Sequence, residues 1–455
     1  MEIPQRKILQ IKIKRTISTR TLMYIGIYIL FNTLCFFQLI GFSFGALAIT
    51  CALLALGVFI RYDETGIYLF MCLAFFNVMN ARVKSTSLFY LLCGIVVIRY
   101  LLQERKKYHL PEKLILLFII FLATAYNLTA ALRYVKWFFL LSTCIMLYHE
   151  SIIESKIEEI ITLFSIAFLM ASAWGWLMIQ NGMAVSNDSK YFIAKQYSYL
   201  RFAGLVGDSV VYAGMTFTLI ALNLVVLLAT GRNGRLRLFI VMPLVLCGIL
   251  TYSKTFYLGL FVETVFFLWF WLGRKFGKKP AIFITLIILP LIAAGAFLWI
   301  TTGTDSAAII MRQRMAANDL STGRLTAWAY YIDVWLHNWT IIFKGIGFSE
   351  YAKSRAFAGY THSVKYAHNI LIESVTAFGL LETIALLVGV GYAFISFLRK
   401  KADLFWLIPA FMLFVVFGMT SHGHFESFYY FFVLLVVTIP EEKVREAIIA
   451  SRQRT

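Results

Sequence analysis

Apolar residues arrive in blocks of about 20, divided by short clusters of charge, a period that suits helices crossing a bilayer. About fourteen blocks can be counted, at 22–40, 41–60, 66–79, 88–102, 114–129, 132–148, 160–179, 204–229, 238–252, 256–272, 281–300, 368–397, 404–419 and 428–439. The third and the last are short, so the expected number of spans is 12–14. One long interruption separates the eleventh block from the twelfth. The predicted fold is therefore all-α: a polytopic helical membrane protein with one large extracytoplasmic loop that contains an amphipathic helix. Its expected divisions are a basic N-terminus (1–21), spans 1–11 (22–300), the large loop (301–367), spans 12–14 (368–440) and a tail (441–455).

Composition narrows this further. The 455 residues are 60% hydrophobic and 14% charged, against about 45–50% and about 25% in soluble chains. A soluble enzyme, a disordered chain and a collagen are excluded, as is an outer-membrane barrel, which would alternate over about ten positions. The net charge of +19, from 42 Lys and Arg against 23 Asp and Glu, does not point to nucleic acid, because no basic face alternates with stacking aromatics. With the N-terminus in the cytoplasm, 27 of the 42 cations fall on inside loops, including RNGRLR, GRKFGKK and RKK. That is the positive-inside distribution, and it predicts two cytoplasmic termini. The apolar run that follows the basic N-terminus continues almost unbroken to Ile60, so it reads as an uncleaved anchor. Cys35, Cys51, Cys72, Cys93, Cys144 and Cys247 lie inside apolar blocks without metal-ligand spacing, so neither a disulfide framework nor a metal centre is expected.

The cations left outside are the informative ones. Seven sit in the large loop (Arg312, Arg314, Arg324, Lys344, Lys353, Arg355, Lys365) and three in the preceding outer loop (Lys190, Lys195, Arg201). They run against the topological bias, so either they form a solvated loop surface or an anion is handled there. The stretch GRLTAWAYYIDVWLHNW places Trp328, Tyr331, Ile332, Trp335 and Trp339 on one helical face, with Arg324 in its first turn. Such a helix anchors at headgroup level. Gly345 and Gly347 allow a tight path beyond it. Next, THSVKYAHNILIES brings His362, His368, Asn369 and Glu373 to the start of a span. His368 and Glu373 are five apart and do not share a face well, but Glu373, one turn inside an apolar helix, needs a partner. Lys254 lies between two apolar blocks, and Arg201 lies just ahead of Asp208. Arg201, Lys254, Arg324 and His368 are expected to converge on one outward cavity. In SHGHFES, His422, His424 and Glu426 lack a clear fourth metal ligand, so structural or sugar-contacting roles are expected.

Taken in order, these residues resemble the bacterial O-antigen polymerase and O-antigen ligase superfamily, the Wzy-like membrane glycosyltransferases. The resemblance rests on Arg201, Gly204, Asp208 and Ser209; on Ser253, Lys254 and Thr255; on Gly323, Arg324 and Trp328; on Gly345 and Gly347; and on His368, Asn369, Glu373 and Gly379. It covers roughly residues 200–380. It implies transfer of a polyprenyl-diphosphate-linked glycan to an acceptor hydroxyl at the outer face of the bacterial inner membrane, with no metal or other cofactor. It further implies a diphosphate clamp at Arg201, Lys254 and Arg324, and acceptor assistance by His368. Glu373 is expected either to orient His368, to pair with a cation or to act as the base. Asn369, Tyr331, His422, His424 and Glu426 are expected glycan contacts. Membrane lipid, a chain-length regulator and a flippase are the expected partners. Lys254 departs from the pattern, since Arg often stands there and Lys offers a point charge without a bidentate fork. Within this superfamily the leading expectation is a polymerase, with a ligase as the alternative. A flippase is the alternative from another class, although no internal repeat of the transporter kind is evident.

Overall fold

In a membrane a backbone must satisfy its own hydrogen bonds, so the apolar blocks fold as helices. The computed structural model describes residues 152–181, 193–196, 199–204, 209–230, 234–316, 324–346 and 367–381, with single positions between 26 and 39 and at 383, 384, 387 and 418. Spans two to six, the last span, Asp208, His362, His422, His424 and Glu426 lie outside these residues.

Five long helices run in chain order: α1 (Ile152–Gln180), α2 (Ser209–Thr230), α3 (Gly234–Ile249), α4 (Lys254–Phe276) and α5 (Lys278–Thr302). Three stretches, Ser209–Leu228, Lys254–Phe276 and Lys279–Thr302, are long and apolar enough to cross a membrane. The protein is an integral membrane protein. α2 is buried along nearly its whole length, whereas α5 exposes Phe283, Leu286, Leu291, Phe297 and Leu298, the surface expected against lipid. α4 and α5 pack side by side, joined through Gly277 alone.

The basic end of α3 is less solvated than its sequence suggests. Arg237, read as part of a loop cluster, is buried at 1% exposure. Its Nη1 donates to Asn223 Oδ1 at 2.9 Å, and Asn223 Nδ2 donates to Ser165 Oγ at 2.8 Å, tying α3 to α2 and α1. At the lower end of α4, Arg274 donates to the Leu228 carbonyl.

One element departs from an all-helical reading. Residues Ile193–Gln196 (β1) and Tyr199–Phe202 (β2) pair antiparallel, with Ala194 opposite Arg201. The Phe202 N–H donates to the Leu250 carbonyl at 3.0 Å, so the hairpin docks on the turn between α3 and α4. Phe202 also meets the Tyr212 ring edge-on, and Tyr212 is held by Ser172 at 2.6 Å. Gly204 follows with φ +55°, and a Cβ there would overlap the Tyr212 ring. This accounts for the glycine in the Arg-x-x-Gly motif.

Glu263 sits inside α4 at 1% exposure, and neither carboxylate oxygen has a hydrogen-bond partner among the described residues. A buried polar group without a hydrogen-bond partner costs about 1–3 kcal/mol, a cost that an apolar side chain in its place removes. Glu263→Leu is accordingly expected to hold or raise the thermal midpoint in detergent. A clear fall in a melting curve would show that the carboxyl carries an interaction.

Beyond α5 the chain turns through Asp305 into α6 (Ser306–Ala316), and later forms α7 (Arg324–His337), α8 (Trp339–Lys344) and α9 (Ile370–Phe378). Asp305 accepts from Trp299 Nε1 and from the Ala308 N–H, both at 2.9 Å. Arg312 donates to the Ile300 and Gly303 carbonyls, so this outer cation closes the corner between α5 and α6. The span expected at 368–397 begins as α9 and is interrupted at Gly379, which has φ +87°.

Candidate active site

Arg201 lies on β2 at 4% exposure, and its Nε donates to the Thr251 carbonyl at 2.8 Å. The α3–α4 turn is closed by Thr251 Oγ1, which donates to the Gly248 carbonyl and accepts from the Ser253 N–H. Three residues after Thr251, Lys254 opens α4. Ser253, at the cap position, makes no side-chain cap hydrogen bond, and the first turn holds no acidic residue. A cation at the positive end of a helix whose first-turn N–H groups lack a capping side chain favours an anion there.

The second group is built on α7, α8 and α9. α7 opens with Arg324, again with no acidic residue in its first turn. Trp328, one turn on, donates from its indole Nε1 to the Ala367 carbonyl at 2.7 Å. Trp335, two turns further along the same face, donates to Thr376 Oγ1 at 3.1 Å, and the Ile346 N–H donates to the Thr376 carbonyl at 2.9 Å. Tyr331, Val334, Ile341 and Ala367 form the buried centre of this contact. The expected single aromatic face is thus divided. Tyr331, Trp328 and Trp335 turn toward the protein, while Ile332 and Trp339 are exposed. The break at Asn338 takes Trp339 off α7, whereas Ile332 lies within α7 on the side away from buried Ala327, Tyr331 and Val334.

α9 begins at Ile370, and Asn369 Oδ1 caps it by accepting the Leu371 and Ile372 N–H groups at 2.9 and 3.2 Å. His368 therefore precedes the helix, where the spacing argument for two helical residues does not apply. Glu373 Oε1 accepts the His368 backbone N–H at 2.8 Å. The Ile370 N–H donates to the Gly418 carbonyl at 2.7 Å, bringing the chain ahead of the His422–Glu426 stretch to the same end of α9.

The predicted residues thus come together as two groups. Arg201 joins the turn that carries Lys254, and Arg324 shares a helix with the tryptophan that grips the residue before His368. Tyr331 has no exposed surface and Asn369 almost none: Tyr331 lies in the buried contact of α7, and Asn369 caps α9. Among the described residues, the two non-glycine positions with positive φ are Tyr252 (48°) and His368 (52°), one beside Lys254 and the other a site residue itself. Backbone of this kind clusters at functional sites. Sequence reasoning placed Trp328 on an aromatic stripe and beside Gly323 and Arg324 in the resemblance, without giving it a role. Its position one turn after Arg324 was the available signal that the two act on one side of α7.

Residues 238–383 match the family described as O-antigen ligase. The matched stretch runs from within α3 to just beyond α9 and includes Lys254, Arg324, His368, Asn369 and Glu373, with Arg201 ahead of it. The match supports the O-antigen polymerase and ligase superfamily, a family of membrane glycan transferases acting on lipid-linked oligosaccharides. No curated protein and no solved structure matches the chain.

Proposed function

We propose that the protein is a polysaccharide polymerase of the bacterial cytoplasmic membrane, with both termini in the cytoplasm. It transfers a polyprenyl-diphosphate-linked glycan onto the acceptor hydroxyl of another lipid-linked repeat unit at the outer face and releases polyprenyl diphosphate. The observation that carries this reading is the start of α4 and of α7, each a helix N-terminus opening on a cation, inside the O-antigen ligase stretch.

In the reaction, the acceptor oxygen bonds to the anomeric carbon as the carbon–oxygen bond to the diphosphate breaks. The bonding pair leaves with the diphosphate, and the acceptor proton passes to a base. Arg201, Lys254 and Arg324 hold the departing charge without a metal, where fixed cations act most strongly in a water-poor site. His368 accepts the proton, since imidazole titrates in the useful range. A chain-length regulator and a flippase belong to the same proposal as partners. The second reading, transfer of finished glycan to a different acceptor, is favoured by the ligase description of the matching family.

The test is a reconstituted assay with lipid-diphosphate-linked repeat units. Wild type is expected to yield a ladder of longer lipid-linked glycans. Arg324→Ala is expected to slow it by about 10²–10³-fold, the usual loss when one donor to a developing anion is removed. Transfer to an added acceptor without a ladder would favour the ligase. Movement of the intact lipid across the vesicle, with no transfer, would overturn both.

A further inference from the structure

We propose that Trp328 and Glu373 are positioning residues that clamp one peptide plane, the Ala367–His368 unit, and thereby aim His368. The inference rests on the base role given to His368 above. The Ala367 carbonyl and the His368 N–H belong to the same peptide group. Trp328 Nε1 donates to that carbonyl at 2.7 Å, and Glu373 Oε1 accepts from that N–H at 2.8 Å. The two grips come from different elements, α7 of the outer loop and α9. A flip of this plane would break both bonds at once.

A clamp is needed because His368 has φ +52°, a left-handed conformation that strains any residue with a Cβ. The chain does not hold that conformation unaided. Asn369 fixes the far side by capping Leu371 and Ile372, and the Glu373 N–H returns to the Asn369 carbonyl at 2.9 Å. Glu373 is 1% exposed, with its carboxylate directed at backbone N–H groups of Ala367 and His368. A carboxylate engaged in this way orients the histidine and leaves proton transfer to it.

The experiment measures kcat and the donor KM for Trp328→Phe, Glu373→Gln and Glu373→Ala, each alone and with His368→Ala, in the reconstituted full-length protein. Phe keeps the ring and removes the indole donor, so kcat should fall about tenfold with donor KM unchanged. Gln keeps an acceptor oxygen for the His368 N–H, so it should remain within about tenfold of wild type while Ala falls about 10²-fold. Because both residues act through His368, Trp328→Phe and Glu373→Ala should each cost less than about twofold once His368 is alanine. Losses that multiply in the double variants would overturn the clamp. So would a Glu373→Gln enzyme as inactive as His368→Ala, which would make Glu373 the base. Full activity in His368→Ala alone would instead overturn the base role on which the clamp rests.

Discussion

Alanine at His368 is expected to slow glycan transfer by about 10²–10⁴-fold, the range for loss of a positioned general base. Binding of the lipid-linked donor should stay near wild type, because the cations proposed to hold the diphosphate, Arg201, Lys254 and Arg324, lie on β2, α4 and α7. The substitution does not dismantle the surrounding backbone. Asn369 still caps α9, and the peptide between Ala367 and residue 368 still offers its carbonyl to Trp328 and its N–H to Glu373. Alanine keeps a Cβ at φ +52°, so the strain of the wild type is retained. His368→Gly is the companion variant: it removes the imidazole and relieves that strain. Equal loss in both, measured as single-turnover release of the lipid diphosphate, would assign the effect to the imidazole. A loss under about threefold in either would remove His368 from the chemistry, since even modest general-base catalysis exceeds that.

The helices were legible because hydropathy alone reports a backbone that must satisfy itself in lipid, and α2, α4 and α5 fall where apolar blocks were counted. Their ends were less legible. The block at 238–252 begins structurally at Gly234, because Asn223 supplies a partner that lets Arg237 enter the bundle. No charge count could anticipate a partner fourteen residues away on another helix. The hairpin was hidden for a different reason: four-residue strands carry too few alternations to stand out from an apolar background. At the site, residue types were readable but contacts were not. Glu373 was correctly expected to need a partner, and that partner is a backbone N–H, which no side-chain spacing rule reports. Tyr331 was read by its chemistry as a glycan contact, whereas its 0% exposure follows from the docking of α7 against α9.

That docking gives the second large expectation, at Gly379. Its φ of +87° and ψ of 168° lie in a region almost reserved for glycine, and another residue there costs about 1–3 kcal/mol. A Cβ would also overlap the Phe343 carbonyl oxygen, and it would lie 2.7 Å from that carbonyl carbon and 3.1 Å from the Gly345 nitrogen. These are backbone atoms, so no side-chain rotation relieves the clash. Gly379→Ala must therefore push the end of α8 away from α9. The bonds that depend on this approach run from Ile346 and Trp335 to Thr376, and from Trp328 to Ala367. Their loss would free the outer loop helix and release one grip on the His368 peptide. We expect a lower thermal midpoint, faster amide exchange through α7 and α8, and transfer reduced by about 10²-fold or more, as for other displaced catalytic groups. Leu381→Ala, at an exposed position two residues on, should stay within about 0.5 kcal/mol of wild type. Normal exchange and normal transfer in Gly379→Ala would show that α8 does not rest on this glycine, and that the loop helix holds its place by another contact.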